Sequence, residues 1–169
     1  MGLFKNVPSA KKAKKHGDKA MALSQELKNI IISHNCVNFE NVDINGLDYV
    51  LFMYDLEIYQ QIMNVKYSPF YIETIVRTIF ISFEENNRRA GKHVPEHYFF
   101  DIFLNVSKTI SAINETAAKD NQDNLELIAI YLCGTELQMS PVSVFHNEAL
   151  IKDIKKHFLK IINLPYKEL

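Results

Sequence analysis

The sequence predicts an all-α fold: a single compact bundle or array of about six helices. Apolar residues recur at the three- and four-residue spacing of one helix face along most of the chain. Only five glycines and five prolines are present, which favours long elements over the frequent turns of a β sandwich. Two prolines follow a serine, in Ser68-Pro69 and Ser140-Pro141, and this pair is typical of a helix N-cap followed by the first helical position.

The first two helices are predicted over residues 9–34 and 46–64, with a polar loop over 35–45 between them. Gly17 is expected to weaken the first helix, so that residues 10–16 fray. The second helix is rich in tyrosine, leucine and isoleucine. The apolar face of the first consists of Ala20, Leu23, Leu27, Ile30 and Ile31.

The third and fourth helices are predicted to begin at Ser68-Pro69 and at Pro95, because proline is tolerated in a first helical turn. Gly91 ends the third helix, and a turn over 121–124 ends the fourth. Three Glu–Arg pairs spaced four residues apart indicate that the third helix has an exposed outer side. The inward face of the fourth consists of Phe99, Ile102, Phe103, Val106, Ile110, Ile113 and Ala117.

The fifth predicted helix, residues 125–138, is apolar nearly all round and is therefore expected to be the central buried helix. Ser140-Pro141 follows as a second cap signal. The last helix, residues 147–163, is amphipathic and ends before Pro165. Because five apolar faces must be covered, mutual packing of the helices is the natural arrangement.

Composition indicates an ordinary globular domain spanning residues 1–169, with 47% hydrophobic and 23% charged residues. No apolar run approaches the length of a membrane-spanning helix, and no secretory signal is visible, so we expect a soluble cytoplasmic protein. Cys36 and Cys133 are too few for a disulfide framework, and we expect both to pack as small apolar side chains.

The net charge of −1 hides an asymmetry between the N-terminus and the rest of the chain. Residues 1–20 hold six lysines and one acid, whereas the remaining residues hold six more acids than bases. We therefore expect residues 1–19 to form a solvated, partly mobile basic arm. The acidic body would repel DNA, so no DNA binding is predicted.

Two motifs resemble metal sites but lack an essential feature. His93-Val94-Pro95-Glu96-His97 resembles the H-x-x-E-H signature of inverted zincins, which needs both histidines on one helix face. Pro95 marks a helix start and leaves His93 outside it. Residues 41–46 resemble the opening of an EF-hand, but Phe52 stands where the bidentate glutamate is required. No metal and no cofactor are predicted.

Arg88 and His93 have the R-x4-6-H spacing and so resemble the motif of HEPN ribonucleases, which are small all-α domains. The resemblance implies that both side chains attend the scissile phosphate and that the histidine acts as acid and base. It covers six residues only, and Arg89 stands where a polar residue is expected. A small helical ribonuclease is therefore an alternative function.

An acidic stretch carries the main functional hypothesis. Residues 29–65 contain no lysine or arginine, and their tyrosines are spaced so that they cannot all share one core face. Acids beside exposed tyrosines are typical of a binding site for a basic protein. Residues 120–151 form a second stretch without lysine or arginine. The predicted partner-binding residues are Glu40, Asp43, Asp48, Tyr49, Asp55 and Glu57.

The function that these observations favour is a non-enzymatic protein-binding module. Within that class we expect a bacterial immunity- or antitoxin-type inhibitor that neutralises a basic toxin, such as a nuclease, through an acidic surface. No catalytic residues are predicted for it. The alternatives are the HEPN-like ribonuclease using Arg88 and His93, and a secretion chaperone or adaptor.

Overall fold

A computed structural model of the chain describes residues 8–39, 42 and 44–165. It is 79% helical, with seven α-helices and no strand among the described residues, which confirms the all-α prediction. In chain order the helices are α1 Ala10–Ser33, α2 Ile44–Met63, α3 Pro69–Arg89, α4 Tyr98–Asp120, α5 Asn124–Tyr131, α6 Pro141–His146 and α7 Glu148–Ile162. A π-helical segment, Leu132–Glu136, continues directly from α5.

Serine side chains cap three of the helices. The Oγ atom of Ser68 accepts a hydrogen bond from the Tyr71 backbone N–H, and Pro69 follows as the first residue of α3. Ser140 caps α6 in the same way. Both Ser-Pro predictions are therefore confirmed. Ser9 caps α1 in the same way: its Oγ atom accepts a hydrogen bond from the Lys12 backbone N–H, a donor that has no partner within the helix.

The predicted start of α4 at Pro95 was wrong. The helix begins three residues later, at Tyr98, because His97 adopts a left-handed backbone conformation with φ of 62°. A left-handed residue cannot continue a right-handed helix, so residues 95–97 form a turn ahead of α4.

The central helix is α2 and not the predicted fifth helix. Residues 51–59 are buried without exception, and α2 packs against α1, α4 and α7. The apolar run over 125–138 instead divides at Tyr131 into the eight-residue α5 and the π-helical segment. A helix that is apolar on every side needs neighbours on every side; α2 has 20 residues and is surrounded along several turns, whereas α5 has only eight.

The expected fraying of the first turns of α1 was also wrong, because these turns pack in the core. Ala13 and His16 are buried, and Gly17 faces Ile79 of α3. A Cβ atom at Gly17 would lie 3.2 Å from Cγ1 of Ile79, so the glycine permits the two helices to approach closely. Residues 10–19 of the predicted basic arm are thus helical, and residues 1–7 lie outside the described chain.

His16 joins α1 to the central helix through a buried polar contact. Its Nδ1 atom lies 3.0 Å from the hydroxyl of Tyr59, and its ring meets Tyr67 edge-on. Burial, together with the positive charges of neighbouring lysines, lowers the pKa of His16 from 6.5 to about 4. The imidazole is therefore neutral at neutral pH, and its charging opposes folding.

Replacing Gly17 by valine should lower the free energy of unfolding by about 1–3 kcal/mol, because the added atoms overpack the contact with Ile79. The matched control is Ala22→Val on the exposed side of α1, which should cost about 0.5 kcal/mol through helix propensity alone. Urea unfolding followed by circular dichroism measures both. Equal losses in the two variants would contradict a close approach of α1 and α3.

His16→Gln should remove part of the acid sensitivity of the fold. Because the folded-state pKa is lowered, the contribution of His16 to stability is present above pH 6.5 and is lost as the pH falls through about 4. The wild-type advantage over the variant should fall by about 3 kcal/mol across this interval. Urea unfolding at several pH values gives the difference in unfolding free energy between wild type and variant. Titrating groups that both proteins share cancel in this difference. Parallel stability curves would argue against a buried neutral histidine.

Candidate functional site

The described part of the acidic stretch around α2 does not form the predicted surface, because Asp55 and Glu57 are buried. Asp48 is exposed, but its Oδ1 atom lies 2.6 Å from Nζ of Lys28 in α1, so a base distant in sequence neutralises it. Glu40 and Asp43 lie outside the described residues. Tyr49 is half-buried; its hydroxyl accepts a hydrogen bond from Asn87.

Asp55 lies in the core, so its predicted place on an exposed binding face was wrong. Both carboxylate oxygens lie 3.0 Å from Nε2 of His157, and both side chains are fully buried. Burial raises the pKa of Asp55 to about 6 against the opposing effect of His157, and the charge of Glu26 adds to the rise. The pair connects the middle of α2 to α7, because an unpaired carboxylate would be costly there.

Glu57 was likewise predicted on the surface and is buried. Its carboxylate accepts hydrogen bonds from Gln60, at 2.7 Å, and from Ser107 of α4, while burial raises its pKa. The tyrosines expected to be exposed beside it, Tyr54 and Tyr59, are also core residues. These side chains hold α2 among its neighbours and cannot contact a partner in the folded chain.

The acids of the second stretch, residues 120–151, are also neutralised in part by the fold. The Nζ atom of Lys155 in α7 lies 2.6 Å from Asp123 and 3.1 Å from Glu126. Glu136 accepts a hydrogen bond from the buried Tyr54 hydroxyl. Asp120 and Glu148 remain exposed. The acids of 120–151 are therefore divided between structural contacts and the surface.

This second stretch carries an exposed apolar face on α6, which the sequence patterns did not reveal. Phe145 and Val142 are 73% and 66% exposed, whereas Val144 of the same helix is buried. Because α6 has only six residues and is bounded by Pro141 and Asn147, it packs one side and leaves the other uncovered. Val142 and Phe145 stand three residues apart, and this spacing in a short capped helix was the available signal.

A groove of about 440 Å³ lies beside this face, between α5, α6 and α7. Its apolar lining is formed by Ile130, Val144, Phe145 and Ile151. Four charged side chains line it as well: Glu126, Glu148, Lys152 and Lys155. We refer to Val142, Phe145 and these groove residues as the α6 face. An apolar centre within a charged rim is the usual composition of a protein-binding surface.

The motifs noted in the sequence do not assemble into the geometry that their families require. His93 and His97 both lie before α4 and are exposed, so they do not share a helix face. Arg88 is in the last turn of α3, and no described hydrogen bond or ion pair joins it to His93. Asp43 of the EF-hand-like sequence is outside the described residues, and Phe52 is buried.

The described residues contain neither a candidate metal site nor a helix that could span a membrane. No group of three or more histidine, cysteine, aspartate or glutamate side chains there is placed to hold a metal ion. Among the described helices, none combines the length and apolar character needed to cross a lipid bilayer.

Comparison with known proteins identifies no relative. No family model matches the chain, no curated protein is similar to it, and no solved structure resembles it significantly.

Removal of His157 tests the buried pair. His157→Ala should lower the free energy of unfolding by about 3–5 kcal/mol, because the Asp55 carboxylate is left in the core without its partner. The double variant Asp55→Leu with His157→Leu should lose less, since no charge remains to be buried. Urea unfolding measures both proteins. A double variant as unstable as the single one would assign the loss to packing and not to charge.

Proposed function

We propose that this chain is a non-enzymatic protein-binding module, and specifically an immunity- or antitoxin-type inhibitor that binds a basic toxin through the α6 face. The observation that carries the proposal is the exposure of Phe145, at 73%, next to an apolar groove. Single exposed apolar residues are common on protein surfaces. An aromatic residue together with Val142 on one short helix, beside a groove, is instead typical of an interface centre.

The charge around the α6 face supports a basic partner. Residues 120–151 contain five acids and no lysine or arginine. Glu148 lines the groove without a described ion pair, and Asp120 is exposed. Acids at the rim of an interface increase the association rate with a positively charged protein, while the apolar centre supplies most of the affinity. The negative charge of this surface is reduced by α7, since Lys155 forms ion pairs with Asp123 and Glu126.

The proposal differs from the sequence-based prediction in its binding surface. Of the six residues predicted to bind the partner, Asp48 is the one described acid that is exposed, and it is paired with Lys28. Asp55 and Glu57 act in the core. The proposed contact therefore moves from the N-terminal part of α2 to the α6 face, and the class of partner is retained.

Phe145→Asp should weaken binding of the toxin by about 100-fold, because it places a charge at the apolar centre of the interface. The candidate toxin is the protein encoded next to this chain in its genome, and the assays are protection of growth on co-expression and calorimetry with the purified pair. The matched control is Phe70→Asp, a 64% exposed phenylalanine at the start of α3, which should leave affinity within about twofold.

Asp48→Lys provides a second control, since it reverses the exposed acid of the surface that the sequence predicted. Full binding by this variant, with loss in Phe145→Asp, is the expected pattern. Full binding by a folded Phe145→Asp protein would place the interface elsewhere. Failure to bind or to protect against any neighbouring toxin would contradict the inhibitor class itself.

A further inference from the structure

The α6 face has the features of a surface that is complementary to itself. Phe145 projects from it, and the groove lined by Ile130 and Ile151 lies directly beside that projection. In a twofold symmetric dimer the same patch is used on both subunits, so each subunit must supply both a projection and the recess that accepts it. The α6 face supplies both within one groove region.

The charges at its rim are also complementary to themselves. Glu148 and Lys152 both line the groove and lie one helical turn apart on α7. Neither forms an ion pair among the described contacts, although Lys155, one turn further on, is held by Asp123 and Glu126. Two such helices that cross about a twofold axis between these residues would set each glutamate opposite the lysine of the other copy.

We propose that a second copy of this chain covers the α6 face when the toxin is absent. Each Phe145 enters the groove of the other copy, and two reciprocal Glu148–Lys152 pairs flank the contact. The dimer keeps the apolar face from water. Its biological role rests on the proposed function, because the toxin must displace the second copy in order to bind the same face.

A second apolar groove, between α3 and α4, lacks this self-complementary charge. Phe70 is exposed near it, and Pro69 and Leu104 line it. Its charged residues are already satisfied within the chain: Nε of Arg77 lies 2.9 Å from Glu73, and the guanidinium stacks 4.3 Å from the centre of the Phe100 ring. Glu148 and Lys152, which form no ion pair with the described residues, therefore distinguish the α6 face as the dimer surface.

The test is sedimentation velocity of the full chain over a wide range of concentration. The wild type should show a concentration-dependent monomer–dimer equilibrium, and Phe145→Asp should be monomeric throughout. Phe70→Asp, the matched control, should dimerise as the wild type does. A wild type that stays monomeric at every concentration, or a dimer that persists in Phe145→Asp, would overturn the proposal.

Charge exchange tests the twofold register. Glu148→Lys or Lys152→Glu alone replaces two attractions by two repulsions and should weaken dimerisation about tenfold. The double variant Glu148→Lys with Lys152→Glu should return the dimer to within about threefold of the wild type. The double variant still carries a lysine in the first turn of α7, where a positive charge is unfavourable. Dimerisation that recovers in the double variant therefore reports the pairing between copies. A double variant as weak as the singles would overturn the proposed pairing.

Toxin binding, measured on the same variants, separates this inference from the proposed function. A monomeric wild type whose toxin binding is lost in Phe145→Asp would refute the dimer and support the binding face. A dimer that is lost in Phe145→Asp, with toxin affinity unchanged, would support the dimer and refute the binding face. Toxin affinity that declines as protein concentration favours the dimer would support both.

Discussion

The burial of α2 on every side is the constraint on which the rest of the fold depends. Nine consecutive buried residues, 51–59, cannot be covered by one neighbour, so α1, α4 and α7 must all contact this helix. A polar side chain on such a helix has no route to water, and each therefore needs a partner from another part of the chain. His157 is the hydrogen-bond partner of Asp55, and Glu136 is the hydrogen-bond partner of Tyr54.

These partners determine where the surrounding helices lie. Because His157 must reach Asp55, the middle of α7 is held against the middle of α2. Lys155, two residues earlier on α7, then lies close to the start of α5 and binds Asp123 and Glu126. The groove of the α6 face lies between α5 and α7, so the buried contact between Asp55 and His157 helps to position a candidate interface at the surface.

The α6 face is an apolar part of the surface that packing within the chain leaves uncovered. A π-helical segment follows Tyr131, and π-helical turns are frequent at functional sites. The short helix that follows buries Val144 and leaves Phe145 exposed. A stable fold does not require an exposed phenylalanine, and both the proposed toxin contact and the proposed dimer give this residue an apolar environment.

The sequence by itself determined the all-α class, two Ser-Pro caps and most apolar faces, because helix periodicity and capping depend on residues within one or two turns of each other. Only the tertiary structure decided which helix is central and which charges are exposed. Asp55 stands in a stretch without lysine or arginine, and its partner His157 is 102 residues away. Whether a carboxylate faces water or a histidine depends on which helices pack together, and that information is not local.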